Sequence, residues 1–257
     1  MVAKIPLSVV IITKNEANNI KDCLESVKWA DEIVIVDDES TDRTIEIAKN
    51  YTDKIFRRKM DIEGKHRNWA YAQARNSWIL SLDADERVTP ELKEALAVLL
   101  SGPCEHRGFA IPRRNYIGDR WVKYGGWYPS AQLKMFRKEY FLWEEVEIHP
   151  RPILDGTWGI LKNDLIHYSY KSFEDFVNKM NKQTTLEAIK WMKDKKRMSR
   201  GRAFWRTYDR FMRTYFTKKA YKEGFTGFMV ALFAGLYQML SYAKYWEMLK
   251  KQKENAG

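Results

Sequence analysis

At 257 residues, 45% of them hydrophobic, the chain holds either one large domain or a domain with an appendage, and it sustains a real core. Lys and Arg outnumber Asp and Glu by 45 to 34, a net charge of +11, which favours anionic partners such as nucleic acid, anionic lipid or phosphorylated substrates. Cys23 and Cys104 are too few for a disulfide scaffold or a zinc site, so a reducing compartment is expected.

Leu7–Ile12 (LSVVII) is a continuous β-branched run, as in a central parallel strand. No signal peptide is seen before it. After Thr13-Lys14-Asn15-Glu16, the spacing of Ile20, Leu24 and Val27 predicts a helix with Cys23 as a small core residue. Glu32–Val36 predicts a second buried strand ending in Asp37-Asp38. Ser40, Thr41 and Asp42 offer caps for a helix carrying Ile45, Ile47 and Ala48. A short strand over Asp53–Phe56 and a helix over Gly64–Arg75 follow. This alternation predicts a parallel sheet covered on both faces.

The next stretch, SWILSLDADERV (Ser77–Val88), organises the chain. Trp78–Leu82 is short and apolar enough for a buried strand. Asp83 and Asp85 then place two carboxylates at its carboxyl end, where open α/β sheets bind ligands. Hard oxygen ligands there suit Mg²⁺ or Mn²⁺ clamping a diphosphate. A lone D-x-D is common, and one such acid is an ordinary turn cap. The context decides: Glu16 follows the first strand, Asp37 and Asp38 end the second, and Asp83 and Asp85 end this one. Acids clustered on one sheet edge predict a common nucleotide site.

Thr89-Pro90 starts a helix to about Leu100, with Gly102-Pro103 as its stop. Gly108–Pro112, Trp121–Tyr124 and Gln132–Arg137 predict strands of a mixed region. Between them, Tyr124–Tyr128 is an aromatic, glycine-containing loop suited either to stacking on a sugar or to plain packing. Phe141–Pro152 gathers Glu144, Glu145, Glu147 and His149. Singly each Glu reads as a solvated surface acid, yet an enzyme activating a hydroxyl needs one positioned base. His149 and His167 are metal ligands or, as lone histidines more often are, structural residues.

Ser172 caps a predicted helix over Phe173–Lys193. Residues 195–222 carry eleven Lys/Arg against the single acid Asp209, interleaved with Phe204, Trp205, Tyr208, Phe211, Tyr215 and Phe216. This pattern suits an interfacial helix on anionic lipid, an RNA-binding surface, or a solvated face. Gly224–Ala243 has no charge over twenty residues but contains three glycines. A shallow or re-entrant membrane helix, or a hydrophobic dock, is expected in preference to a span. A polar tail over Lys244–Lys253 is expected to follow.

Val10–Glu16 (VIITKNE), Ile35–Thr44 (IVDDESTDRT), Lys65–Asn76 with Arg67, Asn68, Ala74, Arg75 and Asn76, and Leu80–Glu86 (LSLDADE) together resemble the inverting family 2 glycosyltransferases of GT-A fold. The likeness covers about the first hundred residues. Met135-Phe136-Arg137, Ile148-His149-Pro150 and Leu165–Ser169 resemble, less specifically, the bacterial lipopolysaccharide-core β-glucosyltransferase branch. Pro150 departs from that branch, which often has an acid after the His.

The resemblance implies a GT-A (Rossmann-like) nucleotide-sugar domain, α/β with a mostly parallel sheet, followed by amphipathic helices. The expected division is a catalytic region over 1–170, with a nucleotide-binding half (1–100) and an acceptor half (101–170), then a helical membrane-associating region over 171–257. It further implies that Thr13, Glu16, Asp37 and Asp38 hold the uridine of a UDP-sugar. Lys65 and Arg67 approach the diphosphate, Asp83 with Ala84 meets the ribose or sugar, and Asp85 ligates Mg²⁺ or Mn²⁺. Glu145, with Glu144 and Glu147 as its rivals, is the implied base for direct displacement with inversion. That branch uses UDP-glucose, whereas the residues alone support only a nucleotide sugar. The implied acceptor is a glycolipid such as lipopolysaccharide inner core at the cytoplasmic face of the inner membrane. The enzyme is then peripheral or monotopic, docked on the anionic membrane surface through residues 195–250, and no nucleic acid is expected. Polyprenyl phosphate is the alternative acceptor. A non-catalytic membrane- or RNA-binding module on the same scaffold is the alternative class.

Overall fold

The structure, a computed structural model, describes residues 5–146 and 150–254. The chain forms two compact units, Met1–Arg114 with Ser130–Tyr168, and Asn115–Pro129 with Ser169–Gly257.

In chain order the first unit contains β1 (Ile5–Thr13), α1 (Ile20–Val27), β2 (Ala30–Asp37), α2 (Thr44–Ala48), β3 (Ile55–Arg57), α3 (Glu63–Ala72) and β4 (Trp78–Asp83). Then come β5 (Glu86–Val88), α4 (Pro90–Leu100) and β6 (Gly108–Ile111). The second unit supplies the hairpin of β7 (Arg113–Ile117, whose first two residues remain with the first unit) and β8 (Arg120–Trp121). The first unit resumes with β9 (Gln132–Arg137), β10 (Phe141–Trp143), β11 (Pro152–Leu154), β12 (Trp158–Ile160) and β13 (Leu165–Tyr170, which ends in the second unit). Among the described residues a seven-stranded sheet runs β12-β6-β9-β4-β1-β2-β3. β1 lies parallel to β2 and β4, β2 parallel to β3, and β9 antiparallel to β4 and β6.

Burial of β1 on both faces explains its unbroken apolar run. Leu7, Val9 and Ile11 join one core with Ile20, Cys23, Leu24 and Val27 of α1 and Leu92 and Leu96 of α4. Val10 and Ile12 join a second core with Ala70 and Tyr71 of α3. Thr89 caps α4 as expected, its side chain accepting from the Leu92 N–H, with Pro90 in the first turn. The strand predicted over Asp53–Phe56 lies instead at Ile55–Arg57. The Gly64–Arg75 helix starts one residue earlier and ends at Ala72. Of Trp121–Tyr124 only Trp121 is strand, paired with Tyr116.

The second unit is mostly helical. α5 (Phe173–Lys193) is capped by Ser172 as expected, and α6 (Arg200–Met212) by Ser199. α7 (Gly224–Glu254) absorbs both the uncharged stretch and the predicted polar tail. That tail stays helical because Tyr245, Met248 and Leu249 pack with Ala188 and Trp191 of α5. Val230 and Phe233 of α7 pack on Phe176 and Met180. A Cβ on Gly235 would lie 3.0 Å from the Thr207 carbonyl of α6, so this glycine allows close helix crossing. Ala220–Gln252 is long and apolar enough to cross a membrane, yet α7 packs against α5 and α6. In the aromatic loop Trp127 packs on Tyr170 and Phe176, at ring centroids 5.8 Å away, while Tyr124 and Tyr128 are exposed.

Candidate active site

Strand register brings the acids together. Thr13 pairs with Asp37 across β1 and β2, and Ile12 with Asp83 across β1 and β4, so Thr13, Asp37 and Asp83 stand at one carboxyl edge. Buried polar atoms ordinarily have partners, but Thr13 Oγ1 and Asp37 Oδ1 are buried here without one. The other Asp37 oxygen accepts the Ser40 N–H at 3.0 Å. Asp38 accepts the Met60 N–H and the Lys14 ammonium, each at 2.8 Å. Burial pushes its carboxyl up, but Lys14 and the Met60 N–H outweigh this and hold it below the usual carboxylate range. Glu16 is turned to local structure, accepting from Asn19 Nδ2 at 2.7 Å.

His66 of α3, absent from the sequence-based site, is fully buried, with Nδ1 3.0 Å from Arg58 Nη1 and Nε2 without a partner. A guanidinium only donates, so Nδ1 accepts and the proton sits on Nε2. Burial, then Arg58, lowers its pKa, so the ring is neutral at pH 7. His66 thus offers a buried N–H donor.

Below Asp83 lies a chain of ion pairs. Arg67 Nη2 donates to Asp83 Oδ1 at 3.2 Å, and its Nε to Glu63 at 3.0 Å. Lys134 of β9 donates to Asp83 Oδ2 at 2.8 Å and to Glu86 at 2.7 Å. Glu86, fully buried, also accepts the Asp83 N–H at 3.0 Å and faces Arg113 at 3.6 Å. Burial alone would raise the Asp83 pKa; Lys134 and then Arg67 hold it far below the usual range. Both Asp83 oxygens are therefore occupied by cations of the chain. Ala84 is buried, its carbonyl accepting from Arg87 at 2.9 Å. Arg67, Asp83, Arg113, Lys134, Trp143 and His167 line a cavity of about 520 Å³. Lys134 and Arg113 carried no distinguishing signal: a buried lysine is almost always paired, but nothing in the strand pattern marks Lys134 as buried.

Asp85 differs from Asp83. Its Oδ1 is buried without a partner, and its Oδ2 lies 3.6 Å from His167 Nε2. A carboxylate and an imidazole so close suit a divalent cation, and the nitrogen ligand favours Mn²⁺ over Mg²⁺. Among the described residues no group of three or more His, Cys, Asp or Glu side chains is arranged for a metal. Two protein ligands are enough where substrate phosphates and water complete the shell.

The proposed bases lie on the segment after β10. Its backbone presses on α3, where a Cβ on Gly64 would come within 1.9 Å of the Glu144 carbonyl. Asn68 fixes it, accepting the Trp143 N–H at 2.8 Å and donating to the Trp143 carbonyl at 3.0 Å. Glu144 accepts the Arg151 N–H at 3.1 Å. Glu145 is exposed, 3.4 Å from Asn68 Nδ2. Neither lines the cavity. Glu147 and His149 lie outside the described residues. Lys65 is exposed and pairs with Asp61 at 3.6 Å, away from that lining.

Residues 8–152 match the family model for glycosyl transferase family 2, more than half of the chain. The chain belongs to that family. The transferase is 29% identical to the lipopolysaccharide core biosynthesis glycosyltransferase LpsC of Rhizobium meliloti, over 96% of this chain and 94% of LpsC. It is 27% identical to an uncharacterized glycosyltransferase of Rickettsia typhi, over 96% and 89% of the two chains. Among solved structures, residues 1–349 of S. aureus TarS in complex with UDP align with 97% of the transferase and 91% of that chain, at 17% identity and a TM-score of 0.46.

Proposed function

We propose that the transferase moves a hexose, glucose from UDP-glucose, with inversion onto a membrane-embedded glycolipid such as lipopolysaccharide inner core. One observation carries the reading: Thr13, Asp37 and Asp85 have buried, unpartnered oxygens at or just past the carboxyl ends of adjacent strands. Such atoms await a ligand. The likeness to LpsC along almost the whole chain supports the acceptor class and a peripheral or monotopic place at the cytoplasmic face of the inner membrane.

Thr13, Glu16, Asp37 and Asp38 take the uridine, and Arg67 with Lys65 the diphosphate. Asp83, backed by Ala84, meets the ribose or sugar. Asp85 and His167 hold a divalent cation, Mn²⁺ or Mg²⁺, whose chemistry when bound is Lewis-acid neutralisation of the departing diphosphate. A carboxylate among Glu144, Glu145 and Glu147 takes the proton of the acceptor hydroxyl. That oxygen bonds to the anomeric carbon as the bond to the diphosphate breaks, so the configuration inverts. Glu145 is favoured by its spacing before His149 and by its exposure. The exposed Phe204, Trp205 and Tyr208 on a basic helix support docking on an anionic membrane through residues 195–250.

Calorimetric titration with UDP-sugars, with Mn²⁺ and then with chelator, tests this. Metal-dependent binding of UDP-glucose in preference to other nucleotide sugars is expected. Binding of no nucleotide sugar, together with tight RNA binding, would sink the enzymatic reading in favour of a binding module.

A further inference from the structure

In the helical unit the end of α5, the turn into α6 and the last turns of α7 line an open cleft of about 800 Å³, within the size range of small-molecule sites. Lys195, Lys196, Arg197 and Arg202 line it, and among the described residues none of the four forms a salt bridge. Two acids lie nearby without pairing to these four cations: Glu187 accepts the Trp191 indole N–H at 2.6 Å, and Asp194 lies at the surface. The floor is apolar, with Tyr245 buried and Met198 and Leu249 partly buried around it. The Tyr245 hydroxyl donates to the Lys196 carbonyl and so ties the turn to α7. Burial, then the like charge of Arg206, lowers the Lys196 pKa, with Arg202 adding to the shift and Glu187 and Asp194 offsetting part of it.

We propose that this pocket binds the phosphate-bearing headgroup of an anionic membrane lipid, the cations holding the phosphate and the apolar floor the first methylenes of its chains. A soluble phosphate would use the cations and leave the floor idle, whereas an amphiphile uses both. The proposal rests on the membrane-docking reading and deepens it from a charged surface to a saturable site.

The test is calorimetric titration of the full chain with monomeric dihexanoyl-phosphatidylglycerol, where no membrane surface exists. Dihexanoyl-phosphatidylcholine and glycerol 3-phosphate are run alongside. One phosphatidylglycerol per chain is expected, with glycerol 3-phosphate much weaker. Lys196→Gln/Arg197→Gln/Arg202→Gln should weaken binding at least about thirtyfold, since each cation near a lipid anion contributes roughly fivefold. Lys218→Gln/Lys219→Gln/Lys222→Gln, an equal charge loss on the same unit outside the pocket, should leave it within about twofold. These are exposed or half-exposed cations; should the first triple melt early, Arg202→Gln alone carries the test, with about a fivefold loss. Absence of one-to-one binding, equal losses in both triples, or equally tight glycerol 3-phosphate overturns the pocket. Flotation of the wild-type chain with phosphatidylglycerol-doped vesicles separates the two readings. If it floats but no monomer binds, the pocket fails and membrane docking stands. If it does not float, docking fails and the proposal falls with it.

Discussion

In the first unit Lys134 lies buried with its ammonium between Asp83 and Glu86, and Arg67 and Arg113 close the two ends of that row. In the helical unit Lys196, half-buried, rests over the Trp191 ring at 4.7 Å with no carboxylate bonded to it. In the first cluster the charges are paired with one another around a cavity. In the second, Lys195, Lys196, Arg197 and Arg202 lie together without an ion pair among the described residues. A net charge of +11 therefore says little about the Asp83 cluster and much about the helices.

Matched lysine substitutions test that comparison most severely. Lys134→Met removes the cation shared by buried Glu86 and half-buried Asp83, leaving each with one arginine, and should cost about 3 kcal/mol in denaturant unfolding. Lys134→Arg keeps the charge and should recover part of the loss. Lys196→Met removes a cation whose repulsion by Arg206 and Arg202 is only partly offset by Glu187 and Asp194, and should lie within about 0.5 kcal/mol of wild type or above it. Similar losses for both lysines would erase the distinction between the units.

Asp85→Ala addresses the one acid of the D-x-D pair that the chain leaves unneutralised. Turnover should fall roughly hundred- to thousandfold, the scale of several kcal/mol of Lewis-acid stabilisation, while the melting temperature holds. Wild-type turnover in this variant would remove Asp85 from the metal. On the helical unit, Phe204→Ser/Trp205→Ser removes two exposed aromatics and should weaken binding to anionic vesicles by roughly tenfold or more, leaving UDP-sugar binding untouched. Unchanged flotation would move the membrane contact off this face of α6.

How far the sequence anticipates the structure follows the same line. The parallel strands were legible because burial on both faces demands an unbroken apolar run, and the strand-end acids were legible because nothing in a turn requires them. Thr89-Pro90 and Ser172 were legible because capping is local. Lys134, Arg113 and His66 were not: each acquires its role from partners 8 to 51 residues away. The α7 tail was misread for the same reason, since Tyr245 and Leu249 become core only once α5 lies alongside.

The smallest expected effect is a difference in pH response. Glu32 at the start of β2 is buried, and burial alone would raise its pKa. Lys54, the Ser8 hydroxyl at 2.5 Å and the Arg75 N–H at 2.8 Å outweigh that and hold it below its ordinary value of 4.5. Its folded form thus binds fewer protons than its unfolded form between the two pKa values. The stabilisation is complete above about pH 4.5 and is lost as pH falls through the folded pKa. Lys196 has the opposite sign in alkali. Its folded pKa is lowered, so the charged side chain destabilises the helices, and stability rises as pH climbs from that lowered value toward 10.5. Hydrogen exchange resolved by unit should show protection in the sheet falling below pH 4.5, with Glu32→Gln flattening that slope at a neutral-pH cost of about 1–2 kcal/mol. Protection in α5 and α7 should rise in mild alkali, and Lys196→Met should abolish the rise. An acid slope unchanged by Glu32→Gln would mean that other carboxylates carry it. An alkaline rise that persists in Lys196→Met would place the strain of the uncompensated charge elsewhere in the helices.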